Sequence, residues 1–470
     1  MSLFRIFVVI CLNLLWVSSN YAQVSFLGQQ IKPSNLNNSI PVVHKEGFAV
    51  SFQPTKLGDL ALLAGVNSVK VLELNYGNKF KLIKHDFRTK KNKSFNYSIH
   101  KFNRFKAYCF DSENFYVLSK NNVDGQLIYF LDVIDLNSFE HHIKNKQVIK
   151  YTSRQDQQIA LFKKEPDHLI LVLENVVLQN NEKLIEIFLI SNDHAVAKYY
   201  PEKVVSRGGN LEFGSMHKSE ENYQMVYNDR TVIKNDSGFY NYSFVLTFSE
   251  DSITNSPFIS PYNNFVISSV SLGSSLVALT SSTPFQLCHP DGISIIHAQT
   301  NKSEVIELPY LFSSQLKAFD YGSFQSQLNY KFSQFNDHIF LIESYKLYYN
   351  TGKTYSKTGP GLLIKVNDQN EIEWYFSLSE LIGSNPASVY KSIMCVETND
   401  GRMFLFYKDK SGLVLKEVNP EDGSLTQKTL TLTGKWSRAG IHSYAFNKDL
   451  NSCLVLLNKN YSLRPLMLKF

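Results

Sequence analysis

The sequence predicts an all-β fold, and three observations carry that reading. Eight short apolar segments recur along the 470 residues, each introduced by a polar or turn pair. Runs rich in Phe, Tyr, Ile, Val and Leu fill the intervals, often alternate with polar residues, and are separated by Asn, Asp and Gly. No stretch of twelve or more residues keeps a 3.6-residue apolar period with caps, so helix is expected to be scarce.

The recurring segments read Gly58-Asp59-LALL, Glu113-Asn114-FYVL, Asp167-His168-LILVL, Glu221-Asn222-YQMV, Ser274-Ser275-LVAL, Asp337-His338-IFLI, Gly401-Arg402-MFLF and Asn451-Ser452-CLVLL. Their first apolar residues are Leu60, Phe115, Leu169, Tyr223, Leu276, Ile339, Met403 and Cys453, at successive gaps of 55, 54, 54, 53, 63, 64 and 50 residues. A second strand follows each anchor, as in QLIYFLDVID or KLIEIFLIS. A more polar third strand usually comes next, such as KFKLIKHDF or EIEWYFSL. A fourth, such as FKAYCF or KSIMCV, leads into the following anchor. Four strands in about 55 residues is the unit of a propeller blade. One such sheet cannot cover its own apolar faces, and stacking blades around an axis buries both.

The expected fold is therefore an eight-bladed β-propeller of four-stranded antiparallel blades, with seven blades if one anchor is misassigned. The unit beginning at Cys453 supplies only two strands before Phe470. VSFLGQQ (24–30) is expected to pair with 464–470 as the outer strand of that last blade, closing 23–470 into a single domain. Glu46-Gly47-FAVSF is expected to be the innermost strand of the first. The long gaps place insertions at 309–335 and at Tyr345–Pro360, where binding function or an enlarged hairpin is expected.

The N-terminus predicts export. Arg5 precedes an apolar run of eleven, Phe7–Val17, and Ser18-Ser19-Asn20-Tyr21-Ala22 brings small residues near its end. This is the pattern of a signal peptide over 1–22, cleaved after Ala22 or, alternatively, after Ser19. Cys11 follows Ile10, so no lipoprotein cysteine is read, and a secreted or periplasmic protein is expected. No later run approaches the ~18 apolar residues of a membrane span. A net charge of +6 spread over the chain is too dilute for nucleic acid. The dense run Arg88–Lys93 is expected to be a solvated loop. Cys109, Cys288, Cys395 and Cys453 show no CxxC or zinc-ligand spacing, so buried free thiols and no metal are expected.

GLLIKVNDQNEIEW (361–374) reads strand, Asn-Asp turn, then a strand ending in Trp374. It resembles the blade hairpin of pyrroloquinoline-quinone-type propeller repeats, in which a Gly-x-x-x-Trp element follows the turn. Asn370-Glu371 stands where that pattern has Gly, and Met403–Gly423 keeps the hairpin without the Trp. The resemblance implies blade architecture alone, with no quinone and no other cofactor.

Nucleophile elbows, HExxH, Walker loops and calcium loops do not occur. His141-His142 is an adjacent pair whose side chains diverge on a strand. Asp124-Gly125, Asp291-Gly292 and Asp422-Gly423 read as hairpin turns. Ser-Arg precedes a presumed inner strand three times, at Ser153-Arg154, Ser206-Arg207 and Ser437-Arg438, and Asn103-Arg104 stands similarly before FKAYCF. Arg104, Arg154, Arg207 and Arg438 are thus expected on one channel mouth, with Phe105, Tyr151 and Trp436 as aromatic neighbours. The planar fork of arginine suits carboxylate, sulfate or phosphate. The competing expectation is that each arginine rivets blades together through a carboxylate or carbonyl. Two function classes follow. One is an exported, non-catalytic binding or interaction scaffold for an anionic glycan or a protein partner. The other is a carbohydrate-active hydrolase or lyase using the channel.

Overall fold

The computed structural model describes the strands, one helix and many of the turns between residues 23 and 470. Residues 1–22 lie outside what it describes, as do 27–38, 53–59, 87–91, 152–156, 178–181, 206–210, 230–241, 259–264, 282–288, 321–326, 379–393, 409–412, 431–439 and shorter breaks between strands. Among the described residues the strands form eight antiparallel sheets, seven of four strands and one of six.

The chain divides into two compact units, one made of Ile99–Tyr390 and the other of the flanking N- and C-terminal parts. The flanking unit begins with β1 (Gln23–Phe26). Its six-stranded sheet is β2 (Ser39–His44), β3 (Gly47–Phe52), β4 (Leu60–Gly65), β5 (Ser68–Asn75), β6 (Lys79–Asp86) and β7 (Asn92–Ser98). The Ile99–Tyr390 unit holds five four-stranded sheets in chain order. They are β8 (Arg104–Phe110), β9 (Asn114–Val123), β10 (Gln126–Asp135) and β11 (His141–Tyr151); then β12 (Gln158–Lys164), β13 (His168–Val177), β14 (Glu182–Ser191) and β15 (Val196–Val205). Next come β16 (Leu211–Ser219), β17 (Asn222–Asp229), β18 (Tyr242–Phe248) and β19 (Ile253–Phe258), followed by β20 (Phe265–Leu272), β21 (Ser275–Ser281), β22 (Gly292–His297) and β23 (Lys302–Glu307). Helix α1 (Tyr310–Asp320) leads to the sheet of β24 (Gln327–Asn336), β25 (Ile339–Asn350), β26 (Lys353–Val366) and β27 (Ile372–Ser377). The flanking unit resumes with β28 (Met394–Glu397), β29 (Met403–Lys408), β30 (Leu413–Val418) and β31 (Leu425–Leu430). It ends with β32 (Gly440–Asn447), β33 (Ser452–Lys459) and β34 (Ser462–Lys469), which share a sheet with β1.

Every anchor opens, within one residue, a strand flanked on both sides in its sheet. β1 pairs with β34 in the register Gln23↔Lys469 to Phe26↔Leu466, so the chain's beginning does supply the fourth strand of the last sheet. β3 pairs with β4 as read, but β2 pairs along its other side, so β3 is not the innermost strand of its sheet as expected. The strands β2 and β7 were not anticipated. The tail of the dense basic run, Asn92-Lys93, opens β7 instead of lying in a loop. That strand is polar except at Phe95 and Tyr97, so its alternation is nearly hidden in the sequence.

Side-chain alternation explains the packing. In β13, Leu169, Leu171 and Leu173 join the core with Tyr116, Leu118 and Tyr129 of the preceding sheet. Ile170 and Val172 point the other way, to Tyr223, Met225 and Tyr227 of the following one. Burying each of these Leu or Ile side chains contributes ~1.5–3 kcal/mol, and a polar substitution on either face would break one of the two cores. In β21, Leu276 and Ala278 pack back on Val226 and Val245, while Val277 and Leu279 pack forward. The flanking unit repeats this, with Phe404 and Phe406 against Cys453, Val455 and Leu457. One anchor is displaced. In β25, Phe340 and Ile342 face back, so Phe340 and not Ile339 occupies the repeat position; a one-residue slip exchanges the faces of a strand.

First strands of neighbouring sheets also meet: β8 lies against β12, β16 against β20, and β20 against β24. Each of β8, β12, β16, β20 and β32 carries a register shift near its start, between Phe105/Ala107, Ile159/Leu161, Phe213/Ser215, Val266/Ser268 and Ile441/Ser443. Such bulges sharpen local twist.

Both insertions are structured. The carbonyl of Pro309 accepts the first helical N–H groups of α1, from Phe312 and Ser313. Phe312 and Leu316 are buried between two sheets. The second insertion is a long hairpin in which β25 and β26 stay paired out to Asn350↔Lys353. Gly359 at its base leaves room for the Phe319 ring, which any Cβ there would strike. No described helix is long and apolar enough to cross a membrane.

Asp124-Gly125 forms a two-residue turn with both φ angles positive, 51° and 79°. Gly423 has φ 72°, whereas Gly292 is the first residue of β22 and no turn residue. Asn370, where the resembled repeat has Gly, adopts φ 62°. Asn tolerates that left-handed region better than other non-glycine residues, so the turn forms without Gly.

Candidate functional site

In each four-stranded sheet from β8 to β23 the first strand begins where the second ends, because the two are antiparallel. Buried polar residues collect at that end. Asn103 is 2% exposed. Its side-chain amide donates to Ser119 Oγ at 3.1 Å and Asn145 Oδ1 at 2.8 Å, and the Asn145 N–H donates to Asp132 Oδ1 at 2.7 Å. Asn145 sits at φ 53° in an irregularity of β11, which brings it within reach.

The next sheet centres on Glu186, which is 2% exposed. The hydroxyl of Tyr199 donates to Oε1 at 2.7 Å. Oε2 accepts from Tyr151 at 3.1 Å, Asn175 at 2.6 Å and Gln157 at 3.3 Å. Tyr129 donates in turn to Gln157 at 3.2 Å. Burial, and then the carboxylate of Glu186, pushes the Tyr151 phenol well above its ordinary range, and Tyr199 is raised the same way. Both therefore remain protonated donors. The carboxylate is held by four hydrogen bonds, an arrangement that fixes charge in place. Tyr151 and Gln157 lie on either side of the β11–β12 connection, so this network joins two sheets.

Further along, Ser243 Oγ donates to Asn228 Oδ1 at 2.6 Å, and the Asn228 amide donates to the Val266 carbonyl at 3.0 Å in the next sheet. His217 Nε2 lies 2.9 Å from Ser269 Oγ and 3.1 Å from Ser215 Oγ, joining β16 to β20. Burial, with a smaller push from Lys163, lowers the His217 pKa to about 4. The imidazole is thus neutral near pH 7. On the opposite face of the same sheet, Glu174 is also buried and pairs with Lys183 at 2.5 Å.

Of the residues singled out from sequence, Arg104 opens β8 and is exposed, directly across from Lys120 of β9. Tyr151 donates its hydroxyl to Glu186, and its ring packs edge-on against Tyr129 and Phe188. Arg154, Arg207, Arg438 and Trp436 lie outside the described residues. Among the described residues the rivets between sheets include Glu186, Asn228 and His217 with their partners, and Arg104 is not among them. Sequence reasoning missed all three. A lone Glu inside KLIEIFLIS is the one visible signal, since it interrupts an otherwise apolar strand face.

His141 and His142 stand on β11 and do diverge, His142 turning to Asp135 at 3.5 Å. Among the described residues no three His, Cys, Asp or Glu side chains assemble as a metal site. Cys109, Cys395 and Cys453 are free thiols, and burial raises Cys109 and Cys453 far above the usual thiol range. Cys288 lies outside the described residues.

No family model and no curated protein matches the chain. Among solved structures it is similar to the WD40 domain of Toxoplasma gondii coronin, at 8% identity over 77% of this chain and 80% of that one, with TM-score 0.35. The β-propeller domain of the Trilobed protease from Pyrococcus furiosus, described as having an open velcro topology, matches at 9% identity over 91% and 94%, TM-score 0.33. The polysaccharide lyase Uly1 matches at 9% identity over 95% and 97%, TM-score 0.38.

Proposed function

We propose that residues 23–470 form an exported, non-catalytic binding scaffold: one propeller of eight blades, seven four-stranded and one widened to six strands, closed by β1, that offers a basic sheet end to an anionic glycan or a protein partner. The observation that carries this reading is a contrast at that end. Its buried polar groups, Glu186 and Asn228 above all, are spent on holding sheets together. The charge turned to solvent there includes exposed Arg104, set against half-buried Lys120, together with the exposed Asp124 of the β9–β10 turn. In the sequence, Arg154, Arg207 and Arg438 precede β12, β16 and β32 much as Arg104 opens β8. The two-faced packing of successive sheets and the β1–β34 pairing support the blade count. Export rests on the pattern of residues 1–22 and predicts Gln23 as the N-terminus of the released protein.

Titrating the mature chain with acidic and neutral polysaccharides, while following chain length, tests the reading. Binding of the acidic polymer without scission is expected, and replacing Arg154 and Arg207 by Ala should weaken it about tenfold or more per residue. Scission would instead favour a carbohydrate-active hydrolase or lyase.

A further inference from the structure

We infer that His100–Arg104, with Lys120, forms a subsite for one acidic sugar residue, a uronic acid or a sulfated hexose, in which Phe102 is the stacking platform. This rests on the reading that the basic sheet end binds anions, and it adds His100, Lys101 and Phe102, which no sequence motif marks, to Arg104, which one does.

Phe102 is 61% exposed, on a segment that is nonetheless held in place. Its neighbour Asn103 is buried, with its side chain bonded to Ser119 and Asn145 and its N–H donating to the His100 carbonyl at 2.8 Å. The sheet thus anchors one residue and thrusts the adjacent aromatic ring into solvent. An exposed, preorganised ring forfeits burial in the free protein and loses little freedom when a ligand covers it. The Lys101 ammonium lies 4.6 Å from the Phe102 centroid, and the His100 ring lies 5.6 Å from it.

Charge points the same way. Arg104 lies directly across from Lys120 on β8 and β9. No ion pair or side-chain hydrogen bond within the described chain engages Arg104. Its guanidinium can grip a carboxylate or sulfate through two N–H groups. A flat apolar face with an acid group at its edge satisfies ring and cations together. An acidic sugar has that shape, whereas an acidic peptide offers the charge without the stacking face.

The test uses the mature chain, residues 23–470, and a labelled oligogalacturonate hexamer and a sulfated hexasaccharide, with cellohexaose and polyglutamate as controls. At least one acidic saccharide should bind, with cellohexaose and polyglutamate each at least tenfold weaker. Phe102→Ala and Arg104→Ala should each weaken that binding about tenfold, while Phe102→Tyr should retain it. Because Phe102 and Arg104 are exposed, melting temperatures should hardly move. Acidic saccharide binding that ignores both alanine variants would overturn this subsite and leave the wider scaffold reading standing. Polyglutamate binding as tightly as the saccharides, again insensitive to Phe102→Ala, would overturn it in favour of an acidic protein partner. Failure of the wild-type chain to bind either acidic saccharide would overturn it outright, with the Arg154 and Arg207 variants against larger polymers deciding the broader proposal separately.

Discussion

Acidification should strip stability from the contact between β16 and β20, and His217 sets the amount. Its imidazole is lowered from 6.5 to about 4, chiefly by burial and secondly by Lys163, while Nε2 sits between the hydroxyls of Ser215 and Ser269. Between those two pH values the unfolded chain binds a proton that the folded chain refuses. The stabilising effect of keeping His217 neutral is therefore fully present above pH 6.5 and is lost as the pH falls toward 4. At about 1.4 kcal/mol per pH unit, the whole window is worth roughly 3 kcal/mol. Urea midpoints of the wild type and of His217→Gln, measured at half-unit steps from pH 7.5 to 4, isolate this one group, because all other titrations are common to both. The wild type should lose roughly 3 kcal/mol more than the variant across the window. Parallel curves would refute the reasoning and show that His217 stays accessible to protons in the folded protein.

Three further outcomes follow from the same contacts. Tyr151→Phe removes one of four hydrogen bonds to Glu186 and should cost about 1.5–3 kcal/mol, whereas Glu186→Ala strands four donors and should cost ~3–5 kcal/mol by denaturation; equal effects would mean that the network does not act through the carboxylate. Deleting residues 23–32 removes β1 and uncovers the edge of β34, so the melting temperature should drop sharply or soluble expression should fail. A truncated chain as stable as the mature one would show that the β1–β34 pairing closes nothing. Intact-mass measurement after alkylation in denaturant without reductant should find Cys109, Cys395 and Cys453 modified; two disulfides would displace the strand assignments.

What was legible in the sequence was whatever period and turn chemistry write locally. The eight anchors open the strands they were expected to open, and hairpins such as Asp124-Gly125 announced themselves by residue type. The slip at Ile339 was not legible, because β25 begins with four apolar residues in a row and either parity fits the text; only the faces of its neighbours choose Phe340. Helix α1 escaped notice because its inward residues Phe312, Leu316 and Phe319 span only two turns, short of the twelve residues over which a helical period was sought. The site was less visible still. Asn103, Glu186 and His217 each take meaning from partners 16 to 52 residues away, and a single sequence records no such pairing. Arg104 could be singled out by its place before an inner strand, yet the ring beside it, Phe102, is conspicuous only once its exposure is known.

The closed ring is the claim on which both the basic end and its proposed ligand depend. A crystal structure of residues 23–470 tests it most directly. Eight sheets about a single axis are predicted, with Gln23–Phe26 as the outer strand of the sheet formed by β32, β33 and β34. Seven sheets, or an arc whose first and last sheets do not meet, would contradict it.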